Sequence, residues 1–258
     1  YAKIKGIKVL TLVSEGNFQE SNIEQFVWGW NYERMMYEDY NIQWSNRTRE
    51  MSISHYPYLE SKIKVSGSVG LDAYNIFPKI QKSDFLIKHN KSKYSKVIGV
   101  GCWDFGILYP SDPRYILFQN IFSHSDIARF KEDQLSFNLI LLEVIKANPN
   151  ILFLLKEHPG NTAGLDMSGI DKTDLYDNVL ILKKESIVDC IAISDFWLTY
   201  ESTTVIEAWM FGKQTGLINP SGVDFPRSNV YLGSPNFDSI ESLQKAIDGF
   251  YNNNNIYG

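Results

Sequence analysis

The sequence is short of cysteine, has no surplus of positive charge and contains no long apolar run. Its two cysteines, Cys102 and Cys190, lie far apart and lack the close spacing of metal ligands. That excludes a disulfide scaffold and fits a reducing, cytoplasmic compartment with ordinary buried thiols. Lys and Arg number 25 against 30 Asp and Glu, a net charge of −5. This balance argues against nucleic acid as a partner and against a generic anionic-membrane binder, because both need a basic face. Small anionic ligands held in local sites stay open. No stretch approaches the roughly 20 apolar residues of a membrane-spanning helix. No signal peptide is expected, and peripheral association of the parent protein with the inner face of a membrane is compatible with both expectations.

What is present is core material: 258 residues, 44% of them hydrophobic, enough for one large domain or one domain and part of another. From Lys96 onward, apolar runs alternate with helical patterns. Strands are expected at 96–103, 151–155, 178–182, 195–200 and 214–219, and helices at 124–147, 186–193, 202–212 and 238–251. Strands apolar throughout and interleaved with helices predict an α/β fold with a Rossmann-like parallel sheet. Residues 1–90 are less regular, with a strand in "KVLTLV", a helix in "NYERMMYEDY" (31–40) and a strand then a glycine turn in "SKIKVSGSVGLDAY". Two visible strands are too few for a complete domain. The expected division is therefore a partial N-terminal α/β domain with its linker over 1–90, the linker near 76–95, and a Rossmann-like domain over 91–258. The first residue is Tyr1 and a strand follows almost at once, so the chain reads as a fragment of a longer protein.

Ligands of open parallel sheets sit outside the carboxyl ends of the strands, and three polar clusters fall there. In Lys156-Glu157-His158-Pro159-Gly160, proline restricts the backbone after a histidine that can donate to a phosphate oxygen; the alternative is a strand simply meeting solvent. In "YESTTVIEA" (200–208), Ser202, Thr203 and Thr204 open a helix whose free N–H groups suit an anion. Plain N-capping explains the same residues, with capping-box character if Glu207 reaches back. Glu207, one turn in, suits ribose hydroxyls rather than phosphate. "GVGCWDFG" (99–106) offers glycines for close backbone approach but not the GxGxxG spacing, and Trp103 reads as packed into a turn.

Taken together, "ILFLLKEHPGN", "NVLIL", "SDFWLTYESTTVIEAWMFGK" and "INP" resemble GT-B glycosyltransferases, especially those of bacterial capsule and surface-polysaccharide assembly, over about residues 96–251. The resemblance implies that 91–258 is the nucleotide-sugar donor domain. It implies donor phosphate at Lys156, His158-Pro159 and Ser202–Thr204, and ribose at Glu207. It implies a cytidine donor of the CMP-Kdo, CMP-sialic acid or CDP-glycerol kind ahead of a UDP-sugar. The acceptor would be a glycan or lipid-linked glycan. Glu15, just after the first strand, and Asp72, in a Gly-x4-Asp turn, take the position of the acceptor-side base, although an exposed loop acid and a turn cap explain them too. No Asp-x-Asp pair occurs, so no metal and no cofactor are expected. The tryptophans of "FVWGWNYERMMYEDY" offer sugar-stacking faces or core packing. Two further readings stand beside glycosyl transfer: a non-catalytic nucleotide-binding scaffold and a nucleotide-sugar epimerase of the same architecture. One fold hosts all three.

Overall fold

The computed structural model describes residues 2–13, 20, 23–28, 31, 33–76, 78–160, 176–223 and 231–253. The chain divides into two compact units, Tyr1–Phe77 and Pro78–Gly258.

The first unit repeats a strand–helix pattern: β1 (Leu10–Leu12), α1 (Ile23–Trp28), β2 (Tyr40–Gln43), α2 (Asn46–His55), β3 (Ile63–Val65) and α3 (Ala73–Ile76). The three strands run parallel in the order β1-β2-β3. Ser45 starts α2 through a capping box with Thr48, which satisfies two otherwise orphaned donors. Trp28, Leu59 and Ile63 form the core, with Trp28 edge-on to Tyr56 at 5.1 Å. The helix expected over 31–40 is absent. Arg34 takes a left-handed φ of 51°, and the Asn31 amide donates to the Met35 carbonyl at 2.6 Å, so the described part of that stretch is irregular. It delivers the chain to β2, a strand the sequence pattern hid.

In the second unit the elements are α4 (Lys82–Lys88), β4 (Lys96–Gly101), α5 (Tyr115–Ile121), α6 (His124–Ala147), β5 (Ile151–Lys156), β6 (Val179–Leu182), α7 (Ile187–Ile193), β7 (Phe196–Thr199), α8 (Thr204–Met210), β8 (Gln214–Ile218), β9 (Asn236–Phe237) and α9 (Ile240–Asn253). The 76–95 segment, expected as a linker, thus holds a packed helix. Phe85 and Leu86 of α4 are buried, and Lys82 reaches Asp195. The six strands are all parallel in the order β6-β5-β4-β7-β8-β9. β4 and β5 bury almost every residue, as strands covered on both faces must.

This order has a consequence for the site. From β4 the chain steps outward through β5 to β6, then returns to the other side of β4 as β7 and steps outward again. The loops leaving β4 and β7 therefore diverge, and open α/β sheets bind ligands in the crevice this leaves at the carboxyl ends. Among the described residues no helix is long and apolar enough to cross a membrane.

Candidate functional site

Register fixes how the ends of the three central strands line up. Gly101 of β4 pairs with Lys156 of β5 on one side and with Thr199 of β7 on the other. His158 lies two residues past that row and Ser202 three residues past it. The two polar clusters thus share one edge of the sheet, separated by two strand spacings, roughly 10 Å.

The glycines of "GVG" are explained by what approaches them. A Cβ on Gly99 would fall 2.3 Å from the Trp197 ring, and one on Gly101 would fall 3.0 Å from Thr204 Oγ1 and 3.1 Å from Trp197. Bare backbone there lets the start of α8 settle against the end of β4. The Trp197 indole N–H donates to Thr204 Oγ1 at 3.1 Å, and the Thr204 N–H donates to Ser202 Oγ at 3.2 Å. Two of the three hydroxyls therefore build the turn. Thr203 is half-buried, in helical conformation, and its side chain makes no capping bond. Glu207 is half-buried and burial pushes its carboxyl up to about 7. Loss of hydration disfavours the charged form, and no neighbouring cation offsets it.

On the β5 side, His158 is exposed and its Nδ1 accepts from the Gly160 N–H at 3.1 Å. Pro159 is exposed beside it. The Asp104 carboxylate, in the loop after β4, lies 3.6 Å from His158 Nδ1 and 2.7 Å from Arg114 Nη2. Burial would raise the Asp104 carboxyl, but His158 and Arg114 together hold it below the usual carboxylate range. Arg114 also grips Asp112 with two hydrogen bonds, at 2.9 and 2.6 Å, and donates to the Gly160 carbonyl at 2.9 Å. Lys156 is buried and its ammonium donates to the carbonyls of Glu157 and Lys183, at 3.0 and 3.1 Å. That places it as a clamp joining the ends of β5 and β6. The adjacent Cys102 thiol is pushed up to about 12 by burial, which keeps it protonated and inert.

Trp103 packs inward, edge-on to Phe105 at 5.1 Å and to Tyr200 at 5.7 Å. The Tyr200 hydroxyl donates to Asp133 of α6 at 2.6 Å, and Ser221, after β8, donates to the same oxygen at 3.1 Å. This network ties the β7 and β8 ends to α6. On the first unit, Trp28 is a core residue, and Asp72 is exposed at the end of a single turn of 3-10 helix, Val69–Asp72. Glu15 lies outside the described residues.

The sequence pattern did not single out Asp104, Asp112 or Arg114. Their signal was the run "WDFGILYPSDPR", charges placed in the loop after the first strand of a doubly wound sheet, where the switch point falls. Among the described residues no group of three or more His, Cys, Asp or Glu side chains is arranged to hold a metal ion.

No protein-family model matches the sequence, and no curated protein matches it closely enough to count as a relative. Solved structures do resemble it. A UDP-N-acetylglucosamine 2-epimerase shares 13% identity at a TM-score of 0.61, over 99% of this chain and 60% of its own. The UDP-GlcNAc 2-epimerase of Neisseria meningitidis, bound to UDP-GlcNAc, shares 14% at 0.58, over 99% and 65%. Anabaena HepE, in complex with UDP-glucose, shares 13% at 0.50, over 98% and 65%. The chain spans a little under two thirds of the length of these proteins. The fold is α/β, with Rossmann-like parallel sheets of the GT-B type.

Proposed function

We propose that the chain carries the donor site of a nucleotide-sugar enzyme, and that the reaction is transfer of the sugar to a growing surface glycan. The observation that carries this reading is the register row Lys156–Gly101–Thr199, by which the His158 turn and the Ser202–Thr204 helix start leave the same carboxyl edge, on either side of β4. The phosphates would lie between them. His158 and the hydroxyls at the start of α8 would donate to oxygens that gain negative charge as the sugar leaves, the kind of preorganised stabilisation that dominates many enzymes. Glu207, without a partner among the described residues, suits the ribose hydroxyls. The acceptor-side base, worth typically 10²–10⁴-fold, would be Glu15 or Asp72, with no metal taking part.

For the nucleotide, the structural neighbours bound to UDP and UDP-sugars favour uridine, whereas the His-Pro and Ser/Thr pattern favours cytidine. A second reading, epimerisation of the nucleotide sugar itself, is supported by the neighbours named as 2-epimerases. A thermal-shift screen against UDP, CMP, CDP and GDP tests the common core. A ligand at a hundredfold excess over Kd stabilises the folded chain by about 2.7 kcal/mol, and His158→Ala should abolish most of that shift. Absence of any shift at millimolar nucleotide sinks both readings. Incubation of the parent protein with the bound nucleotide sugar then separates them. Turnover that needs an acceptor means transfer, and turnover without one means epimerisation. Nucleotide binding with no turnover under either condition leaves a scaffold.

A further inference from the structure

Resting on the nucleotide-binding reading above, we propose that Asp104 is a positioning residue, the counter-ion that lets the His158 ring take up a proton when a ligand phosphate arrives. His158 Nδ1 accepts from the Gly160 N–H at 3.1 Å. A ring nitrogen that accepts carries no hydrogen, so the neutral ring holds its hydrogen on Nε2. The acceptor waiting for a second hydrogen, on Nδ1, is Asp104 Oδ2 at 3.6 Å. That carboxylate is 6% exposed and ion-paired with Arg114 Nη2 at 2.7 Å, but the guanidinium is not aligned to hydrogen-bond either oxygen, which leaves accepting capacity on the side of His158. A buried carboxylate with unused accepting capacity, aimed at a histidine, is costly unless a hydrogen arrives in some state of the protein.

Charge leads the same way. Asp104 and Asp112 face one Arg114, so this trio beside a neutral His158 carries one excess negative charge. Glu157, next in the chain, has Lys183 at 3.6 Å, and the Lys156 ammonium is bound to carbonyls. A proton taken from solvent onto Nδ1 replaces the bond from the Gly160 N–H with one toward Asp104, cancels the excess charge of the Asp104–Asp112–Arg114 trio and leaves Nε2–H as a charge-assisted donor toward the ligand. The turn is fitted to this arrangement. A Cβ on Gly160 would lie 2.8 Å from Arg114 Nη1, 3.1 Å from His158 Nδ1 and 3.2 Å from Asp104 Oδ2.

The test is calorimetric titration of the whole chain with UDP in buffers of different ionisation enthalpy, at about pH 8, where a histidine is ordinarily neutral. The wild type should take up a sizeable fraction of a proton on binding, and 15N spectra of the His158 ring should show both nitrogens protonated in the complex. Asp104→Asn should lose the uptake and bind about tenfold more weakly at that pH, with the loss shrinking toward about pH 6. Asp104→Asn added to His158→Ala should weaken binding no further, because the two act as one unit. No nucleotide binding at all overturns the reading on which this rests. Binding that His158→Ala leaves intact overturns the placement of the histidine, and this role with it. A His158→Ala loss combined with no proton uptake by the wild type, or with an additive double variant, overturns the Asp104 role alone. Should Asp104→Asn not fold, the wild-type proton uptake decides.

Discussion

At the amino ends of β4 and β7, Asp195 accepts from the Val97 N–H at 2.8 Å, from Lys82 at 2.8 and 2.9 Å and from the Tyr251 hydroxyl at 3.4 Å. At the carboxyl ends of the same sheet, Asp104 has no hydrogen bond to either oxygen, Glu157 Oε2 has none, and Glu207 sits half-buried with its carboxyl pushed up. Both edges bring acids out of water, but only the amino edge hydrogen-bonds its carboxylate fully; at the carboxyl edge Asp104 and Glu157 keep ion pairs with Arg114 and Lys183 and no hydrogen bond at these oxygens. Proteins tend to violate polar satisfaction where a ligand completes it. The amino edge is accordingly a fastening, and the carboxyl edge is where the proposed donor site falls.

The comparison breaks most directly at the fastening. Asp195→Ala leaves the Val97 N–H without its acceptor and Lys82 with the Ser95 carbonyl alone, and should cost about 2 kcal/mol, the scale for removing one partner from a shared polar network. Urea denaturation measures this, and nucleotide affinity of the folded fraction should not change. A variant as stable as the wild type, or one that loses affinity while folded, would erase the distinction between the edges. At the carboxyl edge, Gly160→Ala drives a methyl group against Arg114 and the His158 turn. The expected result is a stability loss near 1 kcal/mol with UDP affinity reduced about fivefold to tenfold. If the alanine variant binds as the wild type does, the Asp104–Arg114–His158 cluster lies off the ligand.

The same contrast explains what could be read from the chain. The strands of the six-stranded sheet that run apolar from end to end announce themselves, and polar residues interrupting them mark the carboxyl edge, so His158 and Ser202–Thr204 stood out. β2 did not, because Asn41 and Gln43 are polar and bond to each other through their side chains at 2.8 Å. The Met and Tyr spacing of 31–40 mimics a helix that the left-handed Arg34 interrupts. α4 was hidden in a basic stretch, and the helix itself buries just two side chains, Phe85 and Leu86. Glycine at 99 and 101 signals that something comes close, yet the pattern cannot name Trp197, almost a hundred residues later. Arg114 is 46 residues from the Gly160 carbonyl it binds. Pairings of that span are set by the fold, and local spacing carries no trace of them.

The smallest expected effect tests whether the half-buried acid of the carboxyl edge burdens the fold. Glu207 has its folded-state value raised from 4.5 to about 7 by burial. The folded chain therefore binds a proton more tightly than the unfolded chain, and the benefit is complete below about pH 4.5. It is lost as pH rises toward 7, and above that a charged, partnerless carboxylate burdens the folded state. Glu207→Gln removes the ionisation. The variant should match the wild type near pH 5 and be more stable at pH 8, by about 1–2 kcal/mol once residual solvent access is allowed for. Thermal melts across that range measure the difference. If ribose hydroxyls are the missing partners, the same variant should bind nucleotide more weakly while being the more stable protein. A Gln variant that gains nothing at high pH would mean the carboxylate already has its partner, and the contrast between the edges would then rest on Asp104 and Glu157 alone.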